Sequence, residues 1–247
     1  MRLDKKVSLV TGANKGIGCA IVSKFLAEGS IVYAGVRDAS NISEGLRILQ
    51  SNYPITLIII ELDVKNSNNC KEVIQSIKSN HQALDVLVNN AGVVTYELIP
   101  FINFDILEEM IQVNILGVIR LTQLASRLMT RRNSGSIINL SSIVSVKGVS
   151  GQAAYAATKG AVNSFTLSAA KELSKYNIRV NAVAPGMVAT ERFLHISNEK
   201  FSESIDQIGF GKMAEPIQIA ETCLFLASEE SSYITGQIIG VDGSQSL

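Results

Sequence analysis

Short apolar runs rich in β-branched residues alternate along the chain with longer stretches whose apolar residues fall at helical spacing. The alternation predicts strands near 7–10, 31–36, 56–62, 86–89, 136–140, 179–184 and 237–241. Helices are predicted near 17–28, 40–51, 67–80, 105–131, 153–175 and 216–227. Runs such as Thr56-Leu57-Ile58-Ile59-Ile60 lack polar alternation, as parallel strands covered on both faces do. The chain therefore reads as α/β, a doubly wound parallel sheet of about seven strands with helices on both faces and a ligand at the carboxyl ends of the strands. No linker or repeat breaks the rhythm, so residues 1–247 read as a single domain. The stretch 188–212, between the strand near 179–184 and the helix that opens at Pro216, is too long for a simple turn.

Composition narrows the function classes. A chain of 247 residues lies within what one α/β unit fills. Hydrophobic residues make up 47% of it, yet no apolar run approaches the ~20 residues of a spanning helix, so no membrane association is expected. The charged opening Met1-Arg2-Leu3-Asp4-Lys5-Lys6 leads within four strand residues to a glycine-rich turn, which predicts no signal peptide and a cytoplasmic protein. Cys19, Cys70 and Cys223 are far apart and without metal-ligand spacing; they read as reduced packing thiols, and no metal is expected. With 22 basic and 22 acidic residues and no basic stripe, nucleic acid is not an expected partner. His81 and His195 stand alone and read as surface residues.

Two patterns carry chemistry. In Tyr155-Ala156-Ala157-Thr158-Lys159 the i, i+4 spacing puts an ammonium beside a phenol on one helix face. A free tyrosine, with a pKa of ~10, is a poor proton donor at neutral pH, and a fixed positive charge nearby favours its phenolate. Ser142 ends the apolar run Ser136-Ile137-Ile138-Asn139-Leu140, so its hydroxyl would meet the same oxygen from a strand's carboxyl end. Taken alone, the Tyr/Lys spacing is more often an accidental surface pair. The second pattern is Val7-Ser8-Leu9-Val10 running into Thr11-Gly12-Ala13-Asn14-Lys15-Gly16-Ile17-Gly18 and then an apolar helix. Glycine permits positive φ and close approach, and a helix N-terminus offers N–H groups to a pyrophosphate. On its own this is also compatible with a tight βα turn that binds nothing.

Together with Asn89-Asn90-Ala91-Gly92, Asn114 in Val113-Asn114-Ile115-Leu116-Gly117, Pro185-Gly186 and Tyr233-Ile234-Thr235-Gly236-Gln237, these motifs stand in order and spacing from Val7 to about Gly243. The chain so resembles the short-chain dehydrogenase/reductase family, whose Rossmann-type fold is the doubly wound sheet read above. It is most similar to the 3-oxoacyl-(acyl-carrier-protein) reductases, in Leu140-Ser141-Ser142-Ile143-Val144, Gly148-Val149-Ser150-Gly151-Gln152 and the ending from Tyr233 to Gly243.

The resemblance implies an oxidoreductase in which Ser142, Tyr155 and Lys159 act on a carbonyl and Asn114 holds a water that connects Lys159 to solvent; a core Asn satisfied by backbone is the other reading of Asn114. It implies cofactor contacts from Gly12, Asn14, Lys15, Gly16, Ile17 and Gly18, from Asp63 and Val64 at the adenine, and from Asn90, Ala91 and Gly92. Tyr155 and Lys159 would join them at the ribose, and Pro185, Gly186, Val188 and Thr190 at the nicotinamide. Asp63 is equally a candidate cap for the helix near 67–80. NADP(H) is the expected cofactor: Val36 stands where relatives that prefer NAD carry an acid, Arg37 follows it and Lys15 lies in the glycine turn. Asp38 could face the ribose in a shifted register.

The stretch 188–212 resembles the family's substrate lid, its Phe193, Leu194, Ile196, Phe201, Ile205, Ile208 and Phe210 being enough to cover an acyl chain. Expected partners are a small-molecule or carrier-linked ketone and an acyl carrier protein. Asn133 and Tyr176 stand where such reductases use arginine for the carrier, with Arg131, Arg132, Lys171 and Lys175 close by. That departure leaves open a coenzyme A thioester or a ketone of specialised metabolism. Two further alternatives are an NAD-linked alcohol or sugar dehydrogenase, against which stand the apolar lid and the missing acid at Val36, and a cofactor-sensing protein, against which stands the complete Ser142, Tyr155 and Lys159 set. Surplus apolar residues Ile115, Leu116, Val118, Ile119 and Leu121, with Ala161, Val162, Phe165 and Leu167, predict at least a homodimer joined through the helices near 105–131 and 153–175, and the resemblance implies a homotetramer.

Overall fold

The computed structural model describes residues 1–191 and 205–245. Seven parallel strands form one sheet: β1 (Val7–Thr11), β2 (Ile31–Val36), β3 (Leu57–Glu61), β4 (Val86–Asn89), β5 (Gly135–Leu140), β6 (Ile178–Pro185) and β7 (Ile238–Val241), in the order β3-β2-β1-β4-β5-β6-β7. Side chains alternate between two cores, as strand geometry requires. Val10, Val32, Ala34, Val88 and Ile138 face one core, and Leu9, Tyr33, Leu87 and Ile137 the other. Helices α1 (Gly16–Ala27), α2 (Glu44–Asn52) and α8 (Pro216–Ala227) cover the first core; α3 (Ser67–His81), α5 (Val118–Met129) and α7 (Ala153–Leu173) cover the second.

Three elements differ from the sequence reading. α2 begins at Glu44 rather than near 40, because Ser43 is the residue whose side chain accepts the Leu46 N–H and caps it. The helix expected over 105–131 is α4 (Phe104–Met110), a π-helical segment Ile111–Gly117 and α5 in succession, closed by a 3₁₀ turn at 130–132. A short helix, α6 (Val144–Lys147), follows β5, between the strand predicted near 136–140 and the helix predicted near 153–175. Residues 192–204 of the expected lid, among them Phe193, Leu194, His195, Ile196 and Phe201, lie outside the described residues.

The strand order changes direction between β1 and β4, whose neighbouring carboxyl ends leave a crevice above the sheet. The glycine turn, Asn90 and Ser142 follow strands that end there, and Pro185 is the last residue of β6.

Candidate active site

Gly12 has φ +61°, and a Cβ on it would meet Ala91 Cα at 2.9 Å; a Cβ on Gly18 would lie 2.2 Å from the Gly12 carbonyl oxygen. Both positions therefore demand glycine, the first for its backbone and the second for close approach. The turn is clamped from the end of β4. Thr11 Oγ1 accepts the N–H groups of Asn90 and Ala91 at 2.9 Å each, and the Asn90 amide donates to the carbonyls of Thr11 (2.9 Å) and Gly12 (3.0 Å). α1 opens at Gly16 and Ile17 with Lys15 at its N-cap, no side chain capping it and no acid in its first turn. That leaves the first N–H groups and the positive end of the helix dipole to an anion.

Around this turn the charges are arranged by sign. Val36 is buried at the end of β2, while Arg37 and Lys15 are exposed. Asp38 accepts hydrogen bonds from Ser40 Oγ (2.6 Å) and Ser40 N (2.9 Å), which hold its carboxyl below the usual range and turn it towards its own loop. Asn14 braces the same loop: its Oδ1 accepts Ser43 N–H at 2.7 Å and its amide donates to the Asn41 carbonyl at 3.2 Å.

The second half of the site is built by α7 against the end of β5. Lys159 is 4% exposed, and its Nζ donates to the Leu140 carbonyl at 2.7 Å while lying 5.8 Å from the centre of the half-buried Tyr155 ring. Burial lowers the pKa of this ammonium from 10.5 to about 8. Ser142 stands two residues beyond Leu140, and the Ile143 N–H donates to the Pro185 carbonyl at 3.0 Å, so the chain carrying Ser142 is pinned to the end of β6. Asn114 is fully buried in the π-helical segment. Its Oδ1 accepts Val93 N–H at 2.8 Å, and its amide donates to the Val93 carbonyl (2.8 Å) and Thr158 Oγ1 (3.1 Å). A Cβ added to Gly92 would come within 3.5 Å of Asn114 Oδ1 and 3.7 Å of Lys159 Nζ, so both groups flank the space that this glycine leaves.

Beyond Pro185, the Gly186 N–H donates to the Val241 carbonyl at 3.0 Å and Val188 pairs with Ala214. Thr190 reaches back across the crevice: a Cβ on Gly16 would meet its Cγ2 at 3.1 Å. The ends of β1, β4, β5 and β6 thus converge on one crevice.

Comparison with known proteins decides the family. A family model described as Enoyl-(Acyl carrier protein) reductase matches residues 12–244. This chain belongs to the short-chain dehydrogenase/reductase family. It is 39% identical over 243 residues to the 3-oxoacyl-[acyl-carrier-protein] reductase FabG of Thermotoga maritima, covering 98% of each chain. It is 36% identical over 245 residues to the protein of that name from Aquifex aeolicus, again covering 98% of each. A 3alpha-hydroxysteroid dehydrogenase of Mediterraneibacter gnavus is 36% identical over 247 residues, 99% of this chain and 98% of the relative. As a member of the short-chain dehydrogenase/reductase family, the protein is an oxidoreductase of C=O and CH–OH groups that works with a nicotinamide cofactor. The uncapped α1 N-terminus suits a pyrophosphate and the buried Lys159 ammonium a ribose hydroxyl, so the residues present fit that group.

Asp63 does not cap α3. Asn66 does, accepting from Asn68 N and Asn69 N, while Asp63 Oδ1 accepts Lys65 N–H at 3.0 Å. Val64 is fixed from behind, where Arg120 Nη1 donates to its carbonyl and a Cβ on Gly117 would meet Val64 Cγ2 at 2.9 Å. Two supporting sets were missed by sequence reasoning. Ser141 Oγ donates to Asn163 Oδ1 at 2.6 Å and the Asn163 amide to Ser145 Oγ at 2.8 Å, locking α7 to the chain after β5; the i+4 spacing of Lys159 and Asn163 was the available signal. Arg120 had none. His81 is half-buried rather than on the surface, its ring edge-on to Tyr33 at 5.7 Å. Among the described residues no group of three or more His, Cys, Asp or Glu could hold a metal ion, and no helix is long and apolar enough to cross a membrane.

Proposed function

We propose that the protein is an NADPH-dependent, cytoplasmic ketoreductase that converts a 3-oxoacyl thioester, linked to acyl carrier protein or to coenzyme A, to the 3-hydroxyacyl form. The observation that carries this reading is the buried Lys159 ammonium, one helical turn from Tyr155 and held by the Leu140 carbonyl just before Ser142. Bound NADPH supplies a hydride to the carbonyl carbon. Ser142 and Tyr155 hydrogen-bond the carbonyl oxygen, and the Tyr155 hydroxyl gives it a proton as negative charge develops there. Lys159 grips the nicotinamide ribose and returns a proton to Tyr155; with a pKa of about 8 it can lose and regain one near neutral pH. The space beside Gly92, between Asn114 Oδ1 and Lys159 Nζ, suits a water that links this relay to solvent, since a carbonyl oxygen keeps a second lone pair.

The preference for NADPH is supported by charge. Lys15 and Arg37 are exposed for a 2′-phosphate, Val36 is buried, and the Asp38 carboxylate is engaged by Ser40.

The thioester is supported by the names of the Thermotoga maritima and Aquifex aeolicus relatives. The steroid dehydrogenase, matched over as much of the chain, supports a second reading in which an apolar cyclic ketone meets the same residues. Arg131, Arg132, Lys171 and Lys175 are exposed but precede β5 and β6, at the end of the sheet away from Ser142, so they do not bring an acidic carrier to this subunit's own site. A homotetramer, or at least a homodimer, is supported by part of the apolar surplus. Leu116, Ile119 and Leu167 remain exposed, whereas Val118, Leu121 and Val162 are buried in the protein's own core.

A panel of acetoacetyl thioesters, ketosteroids, cyclic ketones and sugars, run with NADPH and with NADH, tests the reading. The highest kcat/KM is expected with an acetoacetyl thioester and NADPH. Turnover confined to ketosteroids would favour the second reading, and no cofactor oxidation with any ketone would refute an enzyme of this kind.

A further inference from the structure

The segment after β7 joins three parts of the crevice. Gln245 is 2% exposed, and its side-chain Oε1 accepts the Met187 N–H at 3.2 Å, on the chain that leaves β6. Gly186 next to it lies so close that a Cβ there would be 2.8 Å from Gln245 Oε1 and 2.9 Å from Asp242 Cα. From the other side, Lys147 at the end of α6 donates from Nζ to Asp242 Oδ2 at 3.2 Å and to the Gln245 carbonyl. The Gln245 N–H returns to the Asp242 carbonyl at 3.0 Å and Ser244 N–H to Asp242 Oδ1 at 3.1 Å, so the segment is a closed turn rather than a trailing end. A third attachment is the Phe210 N–H to the Gly243 carbonyl at 3.2 Å, with Ile208 buried against Gly243.

A buried amide is costly unless its polar atoms are paired, and this one spends its oxygen on a backbone N–H just beyond the last residue of β6. The Lys147–Asp242 pair is partly solvent-exposed, where such pairs contribute little energy, so its consequence is geometric: it ties the segment to the helix that follows Ser142. The two sides so joined are the chain bearing Ser142 and the chain 186–190 read above as the edge of the nicotinamide.

We propose that residues 242–245 form a clasp that sets the distance between these two chains, with Gln245 a positioning residue for the nicotinamide edge. The inference rests on the reading of 186–190 as that edge. By holding Met187 it fixes the backbone from Gly186 to Thr190, and by holding Lys147 it keeps that backbone in register with Ser142.

The test is titration of NADPH, followed by its fluorescence, into the full chain and into Gln245→Leu, Gln245→Glu and Lys147→Met. Gln245→Leu keeps the volume and removes the acceptor, and is expected to raise the Kd about tenfold, the effect of one lost hydrogen bond. Gln245→Glu keeps an acceptor oxygen for Met187 and is expected to stay within about threefold of the unaltered protein. Lys147→Met, at a side chain partly open to solvent, is expected to fold normally and raise the Kd about threefold. In steady state, the KM for NADPH should follow these changes while the KM for the ketone does not. An unchanged Kd in Lys147→Met and Gln245→Leu would overturn the clasp, as would a Gln245→Glu protein as weak as Gln245→Leu. Should Gln245→Leu not fold, Lys147→Met alone decides in the same way. Absence of binding of both NADPH and NADH by the unaltered chain would overturn the clasp and the reading beneath it together.

Discussion

Lys159→Met should stabilise the cofactor-free protein at neutral pH while abolishing its function. Burial moves the Lys159 pKa from 10.5 to about 8, which at about 1.4 kcal/mol per pH unit amounts to about 3 kcal/mol of folding free energy lost to the buried charge. The sign follows from proton counting. Between pH about 8 and 10.5 the unfolded chain binds a proton that the folded chain has shed. The penalty is therefore complete below about pH 8, declines as pH rises, and is gone above 10.5. Methionine carries no charge and escapes it. Urea unfolding of both proteins at pH 7 and at pH 10.5 should then show the variant's stability relative to the parent to be about 3 kcal/mol more favourable at the lower pH. With both proteins carrying Tyr155→Phe, which removes the phenol beside Lys159, the other titrating groups are common to both and cancel, and the lost hydrogen bond to the Leu140 carbonyl is absent at both pH values. A stability difference that does not change with pH would refute the reasoning that burial has tuned this ammonium. Cofactor affinity and turnover of the variant should both collapse, because the ribose grip and the proton relay go together.

Tyr155→Phe keeps the ring and removes the transferable proton; NADPH titration should give a Kd within about tenfold of the unaltered protein, the most that one lost ribose contact accounts for, while kcat falls by roughly 10²- to 10⁴-fold. Removing Arg37 and Lys15, each by alanine, should weaken NADPH by roughly ten- to a hundredfold per contact and leave NADH untouched, and equal efficiency of the unaltered enzyme with both cofactors would contradict the assignment. Gly18→Ala places a Cβ 2.2 Å from the Gly12 carbonyl oxygen, so the turn must open; a native melting temperature and native cofactor affinity would show the turn to be softer than argued. Ile119→Lys combined with Leu167→Lys should shift light scattering towards the 26.6 kDa chain, and a fully active monomer of the unaltered protein would refute the assembly.

The strands were legible because β1, β2, β4, β5 and β6 are buried along nearly their whole length, which leaves a largely apolar run. The helix ends were less so. Ser40, Asn41 and Ser43 all have side chains that can cap, and the sequence does not say that Asn14 has drawn the backbone of Ser43 into place. The π-helical widening at Ile111–Gly117 leaves the apolar spacing of the helix nearly unchanged and so has no periodic signature, yet it is where Asn114 meets both polar atoms of Val93. In the site, Tyr155, Lys159 and the glycines could be found because their chemistry depends on short spacings. Arg120 at Val64, 56 residues away, and Gln245 at Met187, 58 residues away, depend on the tertiary fold and gave no local sign. The apolar spacing of the long helices does not say which residues face the sheet and which face outwards. Leu121 does the first and Leu116 the second.

The proposed hydride transfer from NADPH to the ketone carbon of a 3-oxoacyl thioester can be followed atom by atom. The most direct measurement uses NADPH carrying deuterium at the transferable position, acetoacetyl-coenzyme A as acceptor, and mass analysis of the product. The expected product is a 3-hydroxybutyryl thioester with deuterium on the hydroxyl-bearing carbon, formed by the unaltered protein and not by Tyr155→Phe. An unlabelled product, a Tyr155→Phe protein that makes it as fast, or no product with NADPH would contradict it.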